Sequence, residues 1–566
     1  MIEKNLKKLK SKFKTYRIDG YIVPQNDEYF SEYSKKNRLQ IISNFSGSAG
    51  YAVILRNKNY LFVDGRYTIQ AQLESSKNFK IVDYNKIVNC DLFKKLVLGL
   101  DPKLFTTYQV KKFFLKYNKI KKIKDNLIDK IHKSKNFQTK PFYSLNKNIT
   151  GQDFKIKINN VTKYLIKNKS NYLFISAPEN VAWLLNIRGY DNPNSPIPNC
   201  YLFLDNKKNW FLITEKNKTI NLVNEKKLRI NQIIEPKNFE NLINRFKSGK
   251  IIIDSKTCSL DYENILKKKF KILKKDDPIY LFKSIKNKKE IQNMIKSHIY
   301  DGVALTKFLY WIKKSYKKKI TELDAIKKLE KFRKLNKNYL YPSFNTIAGS
   351  GANGAIIHYN AKKSKKKIIK KNDIFLCDSG GQYKYGTTDV TRTICFTNPK
   401  TYIKKIFTLV LKGHIAVANT DIKKNYTGKS IDQRARKYLK KYNLNYSHGT
   451  GHGVGFFSNV HEGPQALSKA NKIQILKGMI LSNEPGFYKK NQFGIRIENL
   501  LYVKEVNGNL AFKNLTLAPI DKELIEFKML NKNEKNYLFK YNLQIYSKLS
   551  PFLEKKEKKW LASFII

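Results

Sequence analysis

A chain of 566 residues is too long for one hydrophobic core, so roughly two to four domains are expected. Its 41% apolar and 13% aromatic content excludes global disorder. The formal charge of +66 raises a nucleic-acid or membrane-surface partner, but the excess is Lys spread along the chain, with Arg at only about a dozen positions, so a lysine-coated surface with no specific nucleic-acid site is the reading.

Five cysteines, Cys90, Cys200, Cys258, Cys377 and Cys395, are odd in number and show no CxxC spacing. Neither a disulfide framework nor a zinc ribbon follows; buried free thiols in a reducing cytoplasm do. The basic start, MIEKNLKKLKSKFKTYR, has no apolar core of a secretory signal. No apolar run approaches the ~18 residues of a membrane span, so no membrane partner is expected.

Residues 1 to about 150 open with an amphipathic helix and an apolar strand at 20–24. A second strand region is expected over 41–50 (IISNFSGSAG), then a hairpin, 52–55 and 60–63, turning at Asn57-Lys58-Asn59. Asp64-Gly65-Arg66-Tyr67 closes it and starts a helix. FSGSAG lacks the GK[ST] of a phosphate-binding loop and reads as a tight turn. The mixture is an α/β layer. Residues from about 151 to 285 repeat the plan: a strand at 172–175, a counterpart of 41–50 at 180–189, and strand–turn–strand at 201–213. Two similar α/β domains in tandem follow. The Pro- and Asn-rich stretch 191–198 is a loop.

Near Lys286 a long helix begins, with Ile291, Met294, Ile295, His298, Gly302, Leu305 and Leu309 at helical spacing. His298, like His132 and His414, is read as structural. Thr321 and Asp324 cap a second helix. A strand and glycine-rich loop, 341–354, lead to His358, and the lysine run 362–371 (KKSKKKIIKK) is a solvated loop.

The stretch 374–396, IFLCDSGGQYKYGTTDVTRTICF, reads as two strands joined by a glycine-broken loop, with Asp378 and Asp389 at the loop end. Adjacent strands of a hairpin share faces, so both acids point into one pocket or, alternatively, form an acidic loop in solvent. Close together and unpaired they would repel, and one would take a proton; a divalent cation removes that penalty. Two helices follow, at about 401–441. Three of the seven histidines, His448, His452 and His461, then fall within 448–461. Glu484 lies in SNEPG and Glu498 in GIRIEN. The order Asp, Asp, His, Glu, Glu is a dinuclear set of hard oxygen donors with one imidazole, and four carboxylates balance two divalent ions. After Val503 a tail with a helical pattern and no ligand-type cluster runs to Trp560.

The blocks DSGGQYKYGTTDVTRT, HGTGHGVGFFSNVHEGP, NEPGFY and GIRIEN resemble the signatures of the pita-bread metallopeptidases, a family of methionine aminopeptidases, prolidases and Xaa-Pro aminopeptidases. Nearest are the Xaa-Pro aminopeptidases (aminopeptidase P) of the long, three-domain form. The resemblance implies a mixed α/β and α+β chain. Two tandem creatinase-like α/β domains, 1–150 and 151–285, precede a pita-bread catalytic domain, 286–505, and a short helical C-terminal extension, 506–566. In that family Asp389 and Glu498 would bridge two divalent ions; the hard ligand set suits Mn²⁺, though Co²⁺, Fe²⁺ or Zn²⁺ could occupy it. Asp378 would complete one site, His452 and Glu484 the other. A bridging water would become the attacking hydroxide, with Glu484 accepting its proton. His358 and His461 would hydrogen-bond the substrate carbonyl and the developing oxyanion. His448 would lie beside the pocket for the residue after the scissile bond. Arg496 would line the site or, alternatively, form a salt bridge holding its strand. The loop 191–198 would correspond to one that reaches the active site from a neighbouring subunit, which implies a homodimer. The implied activity is hydrolysis of the Xaa-Pro bond at the N-terminus of peptides with proline second, in the cytoplasm. A prolidase is the alternative, opposed by the long layout. A non-catalytic binding protein is a third reading, opposed by the intact ligand set.

Overall fold

Asn5, Leu6, Leu9 and Phe13 form the buried stripe of helix α1 (Ile2–Thr15), at the three- and four-residue spacing of an amphipathic helix. The computed structural model, which describes residues 1–87, 92–132, 139–362, 367–422 and 426–565, places this helix at the head of the first of two compact units, Met1–Tyr280 and Leu281–Ile566. Cys90 and residues 363–366 of the lysine run lie outside the described residues.

In the first unit, β1 (Gly20–Pro24) pairs antiparallel with β2 (Tyr51–Leu55), which forms the expected hairpin with β3 (Asn59–Val63). With β4 (Lys80–Asp83), β5 (Val97–Leu100) and β6 (Lys119–Lys122) the sheet order is β4-β3-β2-β1-β5-β6. The second sheet contains β7 (Tyr172–Ile175), β8 (Tyr201–Asp205), β9 (Trp210–Ile213), β10 (Ile233–Ile234), β11 (Gly249–Ile253) and β12 (Phe270–Lys274). Its order, β10-β9-β8-β7-β11-β12, is the first one repeated. The parallel and antiparallel pairings match strand for strand. The tandem duplication is therefore a duplication of topology.

One sequence expectation is corrected here. The start of 41–50 is not a strand but the end of helix α2 (Arg38–Ser43). The Asn37 side chain accepts from the Gln40 N–H, and Asn44 ends the helix at φ 66°. A short apolar run does not distinguish strand from buried helix; its caps do. The counterpart segment is helical too, as α3 (Pro178–Leu184).

The second unit begins with α4 (Lys288–Ser315) and α5 (Glu322–Lys334), each opened by a capping box, Asn287 with Glu290 and Thr321 with Asp324. Then come β13 (Tyr339–Pro342) and β14 (Ile347–Ser350). The stretch 374–396 holds four strands rather than two: β15 (Phe375–Ser379), β16 (Gly381–Tyr383), β17 (Gly386–Thr387) and β18 (Val390–Ile394). The outer pair forms the expected hairpin, and the loop between them is a second hairpin that joins β13.

Helices α6 (Thr401–Ala418) and α7 (Gly428–Lys440) open the second half. Its strands are β19 (Asp421–Ile422), β20 (Gly451–Gly453), β21 (Glu462–Leu467), β22 (Ile480–Asn483), β23 (Gly486–Lys489), β24 (Phe493–Arg496), β25 (Asn499–Val506) and β26 (Asn509–Asn514). All but the β23–β24 pair join one sheet, ordered β19-β26-β25-β22-β20-β21. The chain after Val503 is thus not helical at once: β26 hydrogen-bonds to β25 before the tail turns into α8 (Lys532–Leu549) and α9 (Lys555–Ala562). Leu538, Tyr541, Ile545 and Leu549 of α8 share a core with Ile406, Phe407 and Leu411 of α6. Among the described residues no helix is long and apolar enough to cross a membrane. Cys200, Cys258, Cys377 and Cys395 are free and buried.

Candidate metal centre

The β15–β18 register sets Asp378 opposite Thr391 and Ser379 opposite Val390. Asp389 precedes Val390, so it lies diagonal to Asp378 on one face of the hairpin. In the other half of the unit, β22 pairs with β25 through Asn483 and Asn499. Glu484 follows the first of these and Glu498 precedes the second. Asp389 and Glu498 therefore occupy matched places, each one residue before the first paired residue of a returning strand. The two halves are joined directly: the Glu498 N–H donates to the Thr391 carbonyl at 3.1 Å, and the Thr391 hydroxyl donates to Glu498 Oε2 at 2.8 Å.

His452 sits mid-strand in β20, its N–H donating to Ser482 Oγ at 2.9 Å. Its Nδ1 lies 3.0 Å from the Gly453 carbonyl, which makes Nδ1 the protonated nitrogen and turns Nε2 toward the acids. Nε2 is 3.5 Å from Asp389 Oδ2 and 3.6 Å from Glu484 Oε1. Asp389, His452 and Glu498 each offer a donor atom within 4.8 Å of the others. Glu484 is held by its N–H on the Thr450 carbonyl, 2.7 Å away. Asp378 accepts from the Arg496 guanidinium at 2.6 Å through Oδ2, while its buried Oδ1 has no hydrogen-bond partner.

Burial, with the charges of Asp378 and Glu484, pushes the Asp389 carboxyl up to about 6 although His452 pulls it down. Burial and then the Asp389, Glu484 and Asp378 charges hold Glu498 well above the usual carboxylate range. Burial alone would lower the His452 imidazolium; Asp389 and Glu484 outweigh it and raise the group to about 9. This is the signature of too much negative charge in too little water. Divalent cations fit these residues: the donors are hard oxygens and one imidazole, Asp378 Oδ1 is an open buried acceptor, and the crowded negative charge that raises Asp389, Glu498 and His452 is what a cation would offset.

Of the other site residues expected from sequence, His448, His461 and Arg496 lie against this cluster. The His461 ring packs edge-on against His452, centroids 4.3 Å apart. His448 Nδ1 is 3.9 Å from Glu484 Oε2, and its Nε2 lies 2.8 Å from the Tyr488 hydroxyl. Arg496 Nη1 donates to that hydroxyl at 2.6 Å and its Nε to Thr391 Oγ1 at 3.1 Å. Of the two sequence readings of Arg496 the salt bridge is present, and its partner is Asp378. His358 is half-buried in the turn after 351–355. His298 and His414 are buried, on the Met294 and Asn483 carbonyls at 2.7 and 3.1 Å, and His132 ends a short helix, Leu127–Ile131. Tyr488 and Thr391 were not singled out by the sequence reading. Both lie inside quoted blocks, but a hydroxyl between strands has no sequence signal apart from its neighbours. A second convergence, Cys395, Asp521 and Glu523, already has its cation: Lys313 Nζ lies 2.7 Å from Asp521 and 2.9 Å from Glu523.

Comparison with known proteins gives a consistent family match. Residues 292–505 match metallopeptidase family M24, and 508–563 match the C-terminal region of peptidase M24. Residues 5–126 and 133–290 each match the creatinase/prolidase N-terminal domain. The chain is 36% identical over 608 residues to Xaa-Pro aminopeptidase 1 of Dictyostelium discoideum, covering 100% of this chain and 96% of that protein. It is 34% identical over 585 residues to a probable Xaa-Pro aminopeptidase P of Laccaria bicolor, covering 97% and 90%. A crystal structure of X-prolyl aminopeptidase from Caenorhabditis elegans, described as a cytosolic enzyme with a di-nuclear active site, superposes with a TM-score of 0.93 at 29% identity, covering 100% of this chain and 99% of that one. Prolidase from Pyrococcus furiosus matches at a TM-score of 0.50 and 26% identity, covering 63% of this chain and 98% of its own.

Proposed function

Because the chain belongs to metallopeptidase family M24, and along its whole length to the Xaa-Pro aminopeptidases within it, we infer that it is a metal-dependent aminopeptidase that removes the first residue of peptides with proline second. The observation that carries this is the full-length match together with a donor set that keeps all five residues, Asp378, Asp389, His452, Glu484 and Glu498, in order. The prolidase reading accounts for less of the molecule, since the archaeal prolidase covers 63% of it.

In this reading Asp389 and Glu498 would hold both ions, Asp378 would complete one site, and His452 and Glu484 would complete the other. Bound there, two divalent ions supply Lewis acidity, polarising the scissile carbonyl and acidifying water. The protein's own groups do the rest. Glu484 accepts a proton from the attacking water, its carboxylate being the most open of the four acids at 19% side-chain exposure. His461 and His358 donate to the carbonyl oxygen as it gains charge. Arg496 holds Asp378 from behind, leaving Oδ1 to the metal. His448 and Tyr488 line the pocket for the proline side of the bond. An Xaa-Pro amide has no N–H, and its ring fixes the backbone, so a pocket shaped to the ring needs no acceptor there.

As finer points of the same proposal, the ions are Mn²⁺, which the hard donor set suits. The enzyme works in the cytosol, as the nematode relative is described. A homodimer rests on the family resemblance. The domain limits proposed are 1–150, 151–285, 286–505 and 506–566. The deciding experiment is a matched panel of Xaa-Pro-Yaa, Xaa-Ala-Yaa, N-acetylated Xaa-Pro-Yaa and the dipeptide Xaa-Pro, with and without chelator. Cleavage of the first alone, lost on chelation and restored by Mn²⁺, supports the reading. Preference for the dipeptide makes it a prolidase, and equal cleavage of the alanine peptide removes the proline pocket.

A further inference from the structure

His358, given a substrate role above, follows a segment with few side chains of its own. Residues 349–355 read Gly-Ser-Gly-Ala-Asn-Gly-Ala, with almost no side chain to pack, and Gly351 adopts φ +54°. Residues 349–350 pair with β15, and the Gly351 N–H donates to the Ile374 carbonyl at 2.9 Å; beyond these ties, one carboxylate from another element gathers the segment. Glu322, 1% exposed, is the first residue of α5. Its Oε1 accepts from the Ser350 N–H at 2.7 Å and from Asn353 Nδ2 at 3.0 Å. Its Oε2 accepts from the Tyr359 hydroxyl at 2.7 Å and again from Asn353 at 3.1 Å. Tyr359 is the residue after His358, and its buried ring packs with Leu376, two residues before Asp378. Gly354 lies directly against Gly494, two residues before Arg496; a Cβ on Gly494 would come within 1.8 Å of the Gly354 carbonyl.

Helix capping does not explain this acid. Thr321 and Asp324 already form the capping box, and an acid that only answers the helix dipole works from solvent. A buried carboxylate is costly unless its oxygens are fully used, and here three of its four bonds go to the loop before His358 and the fourth to the residue after it. We propose that Glu322, on a helix that carries none of the metal-binding side chains, is a positioning residue for His358, holding segment 349–359 where the His358 ring meets the substrate carbonyl. The proposal rests on the substrate role given to His358 above.

The test uses the full chain. Glu322→Gln keeps size and shape but turns an amide N–H₂ toward groups that donate to the carboxylate. In the Mn²⁺-loaded enzyme acting on an Xaa-Pro-Yaa tripeptide, Glu322→Gln should lower kcat about 10- to 100-fold with KM and bound metal little changed, the scale of a small misplacement of a catalytic group. In a His358→Ala background the same change should have no further effect, since Glu322 acts only through His358. In the metal-free protein with ¹⁵N-labelled histidine, Glu322→Gln should shift the ring signals that vanish in His358→Ala and leave those of His132 in place. Tyr359→Phe, which removes one hydroxyl from a buried ring, is the gentler variant should Glu322→Gln not fold, and the same coupling is expected of it. Equal fold-losses in both backgrounds, or unmoved His358 signals, overturn the proposal. If His358→Ala itself turns over at the wild-type rate, the substrate role of His358 fails and this inference with it; a slow His358→Ala that still responds in full to Glu322→Gln sinks this inference alone.

Discussion

Asp389 and Glu498 stand at equivalent turns of two half-domains, and that symmetry decides what their loss should do. In the proposed reading each would hold both ions, whereas His448 meets the cluster only at 3.9 Å, through Glu484. Asp389→Ala or Glu498→Ala should therefore reduce bound metal and leave no measurable turnover. His448→Ala should keep its metal and lose about 10- to 100-fold in rate, the usual cost of removing a group that orients ligands. His132→Gln, at a helix end remote from the donor set in sequence, should be near wild type. Metal analysis beside steady-state kinetics checks all four. Equal losses at Asp389 and His448 would mean that the ranking of ligands is wrong. That these residues converge was legible in the sequence because the quoted blocks hold all of them, Asp378 and Asp389 in one, and because seven histidines leave few alternatives. Glu322 was not: its fragment, Thr-Glu-Leu-Asp, reads fully as a helix start, and nothing local tells a capping acid from one buried under a distant loop.

Among the elements, the C-terminal helix α8 is tied to the donor strands by one buried arginine. Arg392, on β18, donates to the Glu498 carbonyl at 2.6 Å, to Pro519 at 3.0 Å, to Ala518 at 2.8 Å and to the Tyr541 hydroxyl at 2.9 Å. Tyr541 belongs to α8, so the extension is part of the catalytic core and not an appendage. Tyr541→Phe should cost about 1–3 kcal/mol of stability, the penalty of leaving a buried donor with one partner fewer, and lower kcat modestly through Glu498. Removing 532–566 should give insoluble protein rather than a trimmed enzyme; an active, monodisperse truncation would contradict this. Sequence periodicity found α8 and the tandem repeat of the N-terminal sheets, since both are long or repeated patterns. It misplaced 41–50, where a short apolar run depended on caps at Asn37 and Asn44. It also passed over β16 and β17, which are too short to alternate, and β26, a strand with only Phe512 buried.

At the scale of the whole molecule, two charge effects are separable. The lysine excess is diffuse, so any DNA binding should be insensitive to sequence and fall steeply with salt; tight binding at physiological salt would revive a dedicated site. The second effect is the linkage between metal, protons and stability. In the metal-free protein Asp389 is raised from 3.8 to about 6, and Glu498 is held well above its usual 4.5. A carboxylate raised on folding contributes stability that is complete below its unfolded value and lost as pH climbs through the folded one. His452, raised from 6.5 to about 9, behaves the same way over a higher window: its contribution is complete below 6.5 and lost toward 9. All three therefore weaken the metal-free fold as pH rises from about 4 to about 9, by up to about 1.4 kcal/mol for each pH unit and each group titrating differently. His414 works oppositely. Burial, with Arg392, lowers it from 6.5 to about 3, so its contribution is present above 6.5 and lost as pH falls. It lies outside the donor set and acts alike with or without metal, so it cancels in the difference. Metal binding needs the acids ionised and His452 neutral, so affinity gains with pH while the metal-free fold loses. The gap in Tm between Mn²⁺-saturated and chelated protein should thus widen steadily from about pH 5 to about pH 8. Scanning calorimetry of the two forms across that range gives the answer, and a constant or narrowing gap would mean that Asp389, Glu498 and His452 do not share their site with cations.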